Sequence, residues 1–169
     1  MRGDLHTLRR VCSYASVVML AGEIAFILLS AAMVVLGAWS LVSDDIRETF
    51  TDLIRCGDSD LSLIAGTVEM FIAFIAMFIT VKAIRDIMQS ILKDNGPFAE
   101  DNAGRFKLVC MTFLAASVPL TILEFLNRED IVLALCVLLV CLLIAVVMYC
   151  LTIVFRYGFL LQDESDHTL

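Results

Sequence analysis

The chain has 169 residues, 60% of them hydrophobic, with a mean hydropathy of +0.92 and a formal net charge of -7. This composition excludes an ordinary soluble globular domain, because the apolar residues are too many and fall in long blocks. No single segment gathers a basic patch able to follow a phosphate backbone, so direct nucleic-acid binding is not expected despite twelve Lys and Arg residues.

Residues Arg2 to Arg10 form a short basic lead that runs into the first apolar block, Tyr14 to Val42. Arg9 and Arg10 before the block and small residues near its end imitate a secretory signal. Such a signal has an apolar core of only ~7 to 15 residues, so this segment is expected to be a retained first helix. Glu23 lies inside it. The residue falls roughly mid-membrane if the helix starts near Cys12 and rises ~1.5 Å per residue. Gly22, Ala21 and Ala25 beside it, with Gly66 further on, offer small side chains that let helices approach closely around an acid.

The loop that follows is acidic, with Asp44, Asp45, Glu48, Asp52, Asp58 and Asp60. Asp45 and Glu48 have capping-box spacing, Ile46, Phe50, Leu53 and Ile54 recur on one face, and Gly57 can end a helix. A short amphipathic helix is expected here, closing the outer end of a bundle or lying on the membrane surface. The second block, Leu61 to Val81, carries Glu69 about a third of the way in from the outer face. After Val81, Ile84, Ile87, Met88, Ile91 and Leu92 form one stripe and Lys82, Arg85, Asp86, Gln89 and Lys93 the other, which predicts an amphipathic extension of the second span. Asn95-Gly96-Pro97 stops it, and Phe98 is an apolar anchor in a polar hinge.

The third block, Leu108 to Leu126, contains Pro119, which removes one intrahelical hydrogen bond and predicts a bend. Glu124 stands at its outer boundary, able to snorkel to the surface and pair with Arg128 four residues on. The connection Asn127 to Asp130 is short enough to force the third and fourth helices to be antiparallel neighbours. The fourth block, Ile131 to Phe155, is free of charge. Beyond Arg156 the tail has Gly158 as an expected bend, then Phe159, Leu160 and Leu161 before an acidic run; these apolar residues are expected to pack on the extension Ile84 to Leu92.

Four blocks that meet or approach the ~20 residues of a spanning helix predict an all-α, single-domain, four-transmembrane-helix bundle over residues 1–169, with spans near 14–42, 61–81, 108–126 and 131–155. Basic residues retained on the cytoplasmic side orient it: with both termini inside, Arg2, Arg9, Arg10, Lys82, Arg85, Lys93, Arg105, Lys107 and Arg156 are cytoplasmic, against Arg47, Arg55 and Arg128 outside. Membrane lipid is thus the first expected partner. Only Cys56 of the six cysteines then falls in the outer compartment, which argues against an intrachain disulfide framework.

Glu23, Glu69 and Glu124 form the candidate intramembrane polar site. Carboxyls at such depth face the bundle interior, pair, or stay protonated, and often mark ion or proton paths. The spans as bounded above contain no Lys or Arg, which favours neutral Glu23 and Glu69 held by hydroxyls such as Thr67, Ser117 and Thr121, or else reached by water. Enzymatic motifs are missing: there is no His-Glu-x-x-His, phosphate loop, dinucleotide turn or Cys-x-x-Cys, and the two histidines, His6 and His167, are too few for a histidine metal site. No enzyme activity, cofactor or metal is expected.

Asn95-Gly96-Pro97-Phe98 followed by Asn102, together with the tail from Phe155 through Gly158, Leu161, Glu164 and Asp166 to Leu169, resembles the middle-loop and terminal motifs of a bacterial four-helix membrane family labelled domain of unknown function 2975. The resemblance spans essentially the whole chain. It implies a bacterial cytoplasmic membrane location, and a cytoplasmic face on which Asn95, Pro97, Phe98, Asn102, Gly158, Leu161, Glu164 and Asp166 match the family's polar-side pattern. Genes of that family are often found beside a small helix-turn-helix transcription regulator, which the resemblance makes a candidate partner. Two functions stay open on the sequence: a regulatory or sensory membrane protein that binds a cytoplasmic partner through its middle loop and tail, and a small self-associating transporter or ion-conducting protein that uses the carboxyls.

Overall fold

A computed structural model describes residues 2–57, 59–93 and 100–167, with side chains from Arg10 onward except at positions 100, 163 and 165–167. The chain is an all-α bundle of five helices: α1 (Arg2–Ser40), α2 (Asp44–Ile54), α3 (Asp60–Leu92), α4 (Glu100–Arg128) and α5 (Ile131–His167). All but α2 are long and apolar enough to cross a membrane. They alternate in direction, so both chain ends lie at one end of the bundle, here the termini end, and the α1–α3 and α4–α5 connections lie at the other, the loop end.

The loop-end connections are closed by specific caps. α2 begins after Ser43, whose backbone is extended, with Asp44 and Asp45 in its first turn where the helix dipole favours acid. Arg55, not Gly57, ends it: Arg55 takes the left-handed conformation (φ 52°) and its N–H donates to the Thr51 carbonyl. The expected role of Gly57 is therefore corrected. Its N–H donates to the Asn127 carbonyl at 3.3 Å, tying the two loops together, and a Cβ there would stand 3.0 Å from Ser62 Oγ. The Asp45–Glu48 capping box is likewise replaced, since Ser43 occupies the cap position and makes no side-chain cap bond. Ser59 Oγ accepts from the Ser62 N–H at the start of α3, and Asp130 Oδ1 accepts from the Val132 and Leu133 N–H groups at the start of α5. Glu129, the other left-handed residue (φ 55°), makes the predicted tight turn between α4 and α5.

Packing follows a row, α1–α3–α4–α5. Among the described residues α1 meets neither α4 nor α5, and α3 does not meet α5, so each outer helix has one long partner. α4 is the most enclosed, with 39% of its most apolar stretch buried against 11% for α1. The large apolar side chains left on the outside, from Val17 and Leu28 to Leu139 and Val146, suit hydrocarbon and not water.

Two cores hold the row. Met33, Phe50, Ile54 and Leu63 join α1, α2 and α3 at the loop end; Ala76, Ala83, Val109, Cys110, Phe113, Ala116, Leu120, Cys141 and Ala145 join α3, α4 and α5. α2 is amphipathic as expected, but only Phe50 and Ile54 are buried while Leu53 is exposed. It packs as a plug between α1 and α3, and Arg47 reaches Asp60 at 2.6 Å.

The extension of α3 past Val81 to Leu92 is present, with Ala83, Ile87 and Ser90 buried. Pro119 lies inside α4, which continues as helix on both sides of it. Two expectations for the tail are contradicted, the first because α5 runs through Gly158 as uninterrupted helix to His167. The second is that, among the described residues, α5 does not touch α3, so the tail as described does not pack on residues 84–92.

Close approach of α1 and α3 depends on Gly37, where a Cβ would fall 2.5 Å from Thr67 Cγ2 and 2.9 Å from its Oγ1. Thr67 is β-branched and its hydroxyl donates to the Leu63 carbonyl, so it yields little. Gly37→Ala is expected to lower stability by ~1–3 kcal/mol in a detergent unfolding assay. Gly104→Ala, with nothing within 4 Å of the new Cβ, should be neutral or raise stability by up to ~1 kcal/mol through helix propensity.

Candidate functional site

Polar side chains gather at three levels of the row, and helix direction explains two of them. A helical side chain leans toward the N-terminus of its own helix. On antiparallel neighbours, groups set one turn apart therefore lean toward each other.

The first level joins α1 to α3. Gly22 faces Val81, where a Cβ would sit 3.4 Å from Val81 Cγ1. Glu23 leans from there toward the termini end, and Arg85, one turn beyond Val81, leans back toward the loop end. They meet at 2.8 Å, Glu23 Oε1 to Arg85 Nε, with both groups largely buried. The N–H direction is not that of a directed hydrogen bond, so the contact is an ion pair first.

This corrects the sequence reading of Glu23 as a neutral acid at mid-depth without a basic partner. Ending the second span at Val81 placed Arg85 outside the membrane, yet α3 continues as one helix and its long side chain reaches back. The hydroxyls expected to hold the acids are engaged elsewhere: Thr67 donates to the Leu63 carbonyl, Ser117 to Leu114 and Thr121 to Ser117, each within its own helix.

The second level joins α3 to α4 at the loop end and collects Glu69, Glu124, Asn127 and Arg128. Glu124 pairs with Arg128 at 3.2 Å as the spacing predicts, but it is buried, only 4% exposed, and does not snorkel outward. Asn127, only 3% exposed, donates from Nδ2 to Glu69 Oε2 at 3.2 Å. Gly66 makes room: a Cβ there would stand 3.2 Å from Asn127 Nδ2. An open cleft of about 490 Å³, lined by Arg55, Gly57, Ser59, Ser62, Asn127 and Arg128 among others, lies at the loop end beside Asn127 and Arg128.

The third level lies at the termini end. Arg105 Nη1 donates to the Asp86 carbonyl and to Asn102 Oδ1, both at 2.7 Å, which fastens the start of α4 to the α3 extension. Asn102 is completely buried, so it braces this junction instead of facing solvent. Phe106 packs against Phe155 in a tilted ring pair with centroids 4.8 Å apart and ties α4 to α5. On α5, Gly158 is half-buried, while Leu161 and Glu164 are exposed. Asn95, Pro97 and Phe98 lie outside the described residues, as does the side chain of Asp166.

The structure thus separates Glu23 from Glu69 and Glu124 and brings the latter two together. Sequence reasoning missed Arg85, Gly37 and the role of Asn127. The available signal for Asn127 was its position three residues after Glu124, on the same helix face. Comparison with protein families, with curated proteins and with solved structures finds no match to the chain.

A buried ion pair loses more when one partner is removed than when both are replaced by apolar residues. Glu23→Leu or Arg85→Leu alone should destabilise by ~3 kcal/mol or more, and the double variant by clearly less than the sum. Unfolding of all four proteins in one detergent checks this; additive losses would mean that the two groups do not interact.

Proposed function

We propose that this chain is a non-enzymatic regulatory or sensory protein of a bacterial cytoplasmic membrane, with both termini in the cytoplasm, that engages a soluble protein through its termini end. The observation that carries the reading is the far end of α5. At ~1.5 Å per residue its 37 residues reach ~55 Å, nearly twice the ~30 Å of hydrocarbon. The excess emerges beside Arg156, and among the described residues α4 is the one helix it contacts.

On that emergent stretch Tyr157, Leu160 and Leu161 are exposed, at 65%, 48% and 66%, and Ile153, Tyr157, Leu160 and Glu164 follow one another at helical spacing. Phe155, which packs against Phe106 of α4, lies on the opposite side. Helices that bind a lipid surface are basic on the polar face. This one turns acidic beyond Arg156, with Asp163, Glu164 and Asp166, so an anionic leaflet repels it and a basic protein surface suits it better. The helix-turn-helix regulator implied by the family resemblance has that character, since DNA-binding domains carry basic faces. The pairing of Glu23 with Arg85 weakens ion conduction as a rival, because it removes one of the three carboxyls from any pathway.

Capture from native membranes of a helix-turn-helix regulator of the kind the family resemblance implies should fall at least tenfold with Leu161→Asp and persist with Leu133→Ala, whose side chain lies at the other end of α5. Capture unchanged by Leu161→Asp would overturn the interface. Topology is read separately by impermeant thiol labelling of intact cells: a cysteine at Asp52 should react, and one at Gln162 should react only after the membrane is opened.

A further inference from the structure

A small polar cavity of about 190 Å³ opens between α3 and α4 at the termini end, lined by Asp86, Gln89, Ser90, Lys93, Asp101 and Arg105. The regulatory reading, which rests on α5, does not use it. Two cations and two carboxylates line this one space, yet among the described residues none of Asp86, Lys93 and Asp101 has an ion-pair partner.

Ser90 supplies an independent observation. It is only 6% exposed, and among the described residues its hydroxyl has no hydrogen-bond partner. Ser30, Thr67, Thr80 and Thr121 each donate to the carbonyl four residues back along their own helix. For Ser90 that carbonyl belongs to Asp86, and it accepts from Arg105 instead. A buried hydroxyl left unmatched on the wall of a cavity calls for a partner inside it.

Charge and donor chemistry narrow that partner. Arg105 Nη1 is committed to the Asp86 carbonyl and to Asn102 Oδ1, which fixes the guanidinium and leaves its Nε and Nη2 N–H groups for the bidentate grip that suits a phosphate. The Lys93 ammonium and the Ser90 hydroxyl add donors of the same use. The Asp86 and Asp101 carboxylates offset the two cations, so a bare anion or a metal ion meets as much repulsion as attraction. A phosphate joined to a primary ammonium satisfies both sets, because the ammonium offers three N–H donors to the carboxylates.

Depth assigns the ligand to the bilayer. α3 rises ~39 Å from Asp60 to Asp86 and ~50 Å to Lys93, against ~40–45 Å for a bilayer with its headgroups. With Asp60 at one surface, the cavity lies at the opposite headgroup layer. Val68 and Ile75, 18 and 11 residues before Asp86 and so on its side of α3, are exposed, as is Leu108 one turn after Arg105. Acyl chains have an apolar surface to follow from the cavity.

We propose that this cavity binds the headgroup of one phosphatidylethanolamine-type lipid, its phosphate on Ser90, Lys93 and Arg105 and its primary ammonium on Asp86 and Asp101. The site is independent of any protein partner on α5.

The test is native mass spectrometry of the purified full-length protein in detergent, offered phosphatidylethanolamine, phosphatidylcholine and phosphatidylglycerol with the same acyl chains in equal amounts. One phosphatidylethanolamine should be retained with a preference of about tenfold over either competitor. Lys93→Gln should abolish the preference and Ser90→Ala weaken it. Asp101→Asn, which leaves one positive charge in surplus, should turn it toward phosphatidylglycerol. Lys107→Gln, two residues from Arg105 and so on another side of α4, should change nothing. Phosphoethanolamine without acyl chains should displace the lipid only at an excess of about a hundredfold or more. Equal retention of the three lipids would mean lipid held without a headgroup site and would overturn the proposal. So would a preference that survives Lys93→Gln or fails to turn with Asp101→Asn, and displacement by equimolar phosphoethanolamine would assign the cavity to a soluble ester instead.

Discussion

The register of α3 against its two neighbours is the constraint on which the rest of this structure depends. α3 donates Arg85 to α1 on one side and Glu69 to α4 on the other, and in both cases the fit relies on side chains leaning toward each other across antiparallel helices. Sliding α3 by one turn, ~5.4 Å, would strand Glu23 and Arg85 as separate buried charges and part Glu69 from Asn127. Apolar packing between lipid-embedded helices is weak in directionality, because lipid tails compete on nearly equal terms. The polar contacts and the small residues Gly37 and Gly66 therefore specify the register, while Leu, Val and Ala side chains supply area.

The row of helices shapes what the molecule can do. A closed ring of four would enclose a central space; a row gives each outer helix one long neighbour and leaves the remaining surface to lipid. The two ends of the molecule thereby become distinct. At the loop end α2 plugs the angle between α1 and α3, and the Gly57–Asn127 bond joins the connections, so the cleft beside Asn127 has a fixed wall. At the termini end, α3 and α4 are fastened by Arg105 and Asn102, whereas α5 continues beyond the span with α4 as its one helical neighbour among the described residues. Rigidity at one end and an unaccompanied helix at the other fit a protein that is anchored by its bundle and read at its tail.

Much of the fold was legible in the chain. Long apolar blocks disclose membrane-crossing helices because the bilayer demands length and leaves backbone groups no alternative to helix. The α4–α5 turn, the α2 plug and the α3 extension followed from loop length and periodicity, which are local quantities. The site was less legible because it is a property of register between helices. Arg85 was hidden by the assumption that a span ends where its apolar run ends, although a long cationic side chain reaches several ångströms back along its helix. Asn127 read as part of a turn because only its neighbours, Gly66 and Glu69, reveal that it is buried. Gly158 and Gly57 show the converse error: a glycine permits a bend or a stop, and here α5 runs straight through one while Arg55 takes the left-handed turn in place of the other.

Crosslinking of paired cysteines tests the register and the row together. In a background whose native cysteines are replaced by alanine, cysteines at Gly22 and Val81 should form an intramolecular bridge on mild oxidation, and pairs joining α1 to α5, such as Leu28 with Val146, should not. A bridge between α1 and α5 within one chain would show a closed ring. Failure of the Gly22–Val81 pair, with efficient bridging at a position one turn away on α3, would show that Arg85 does not face Glu23.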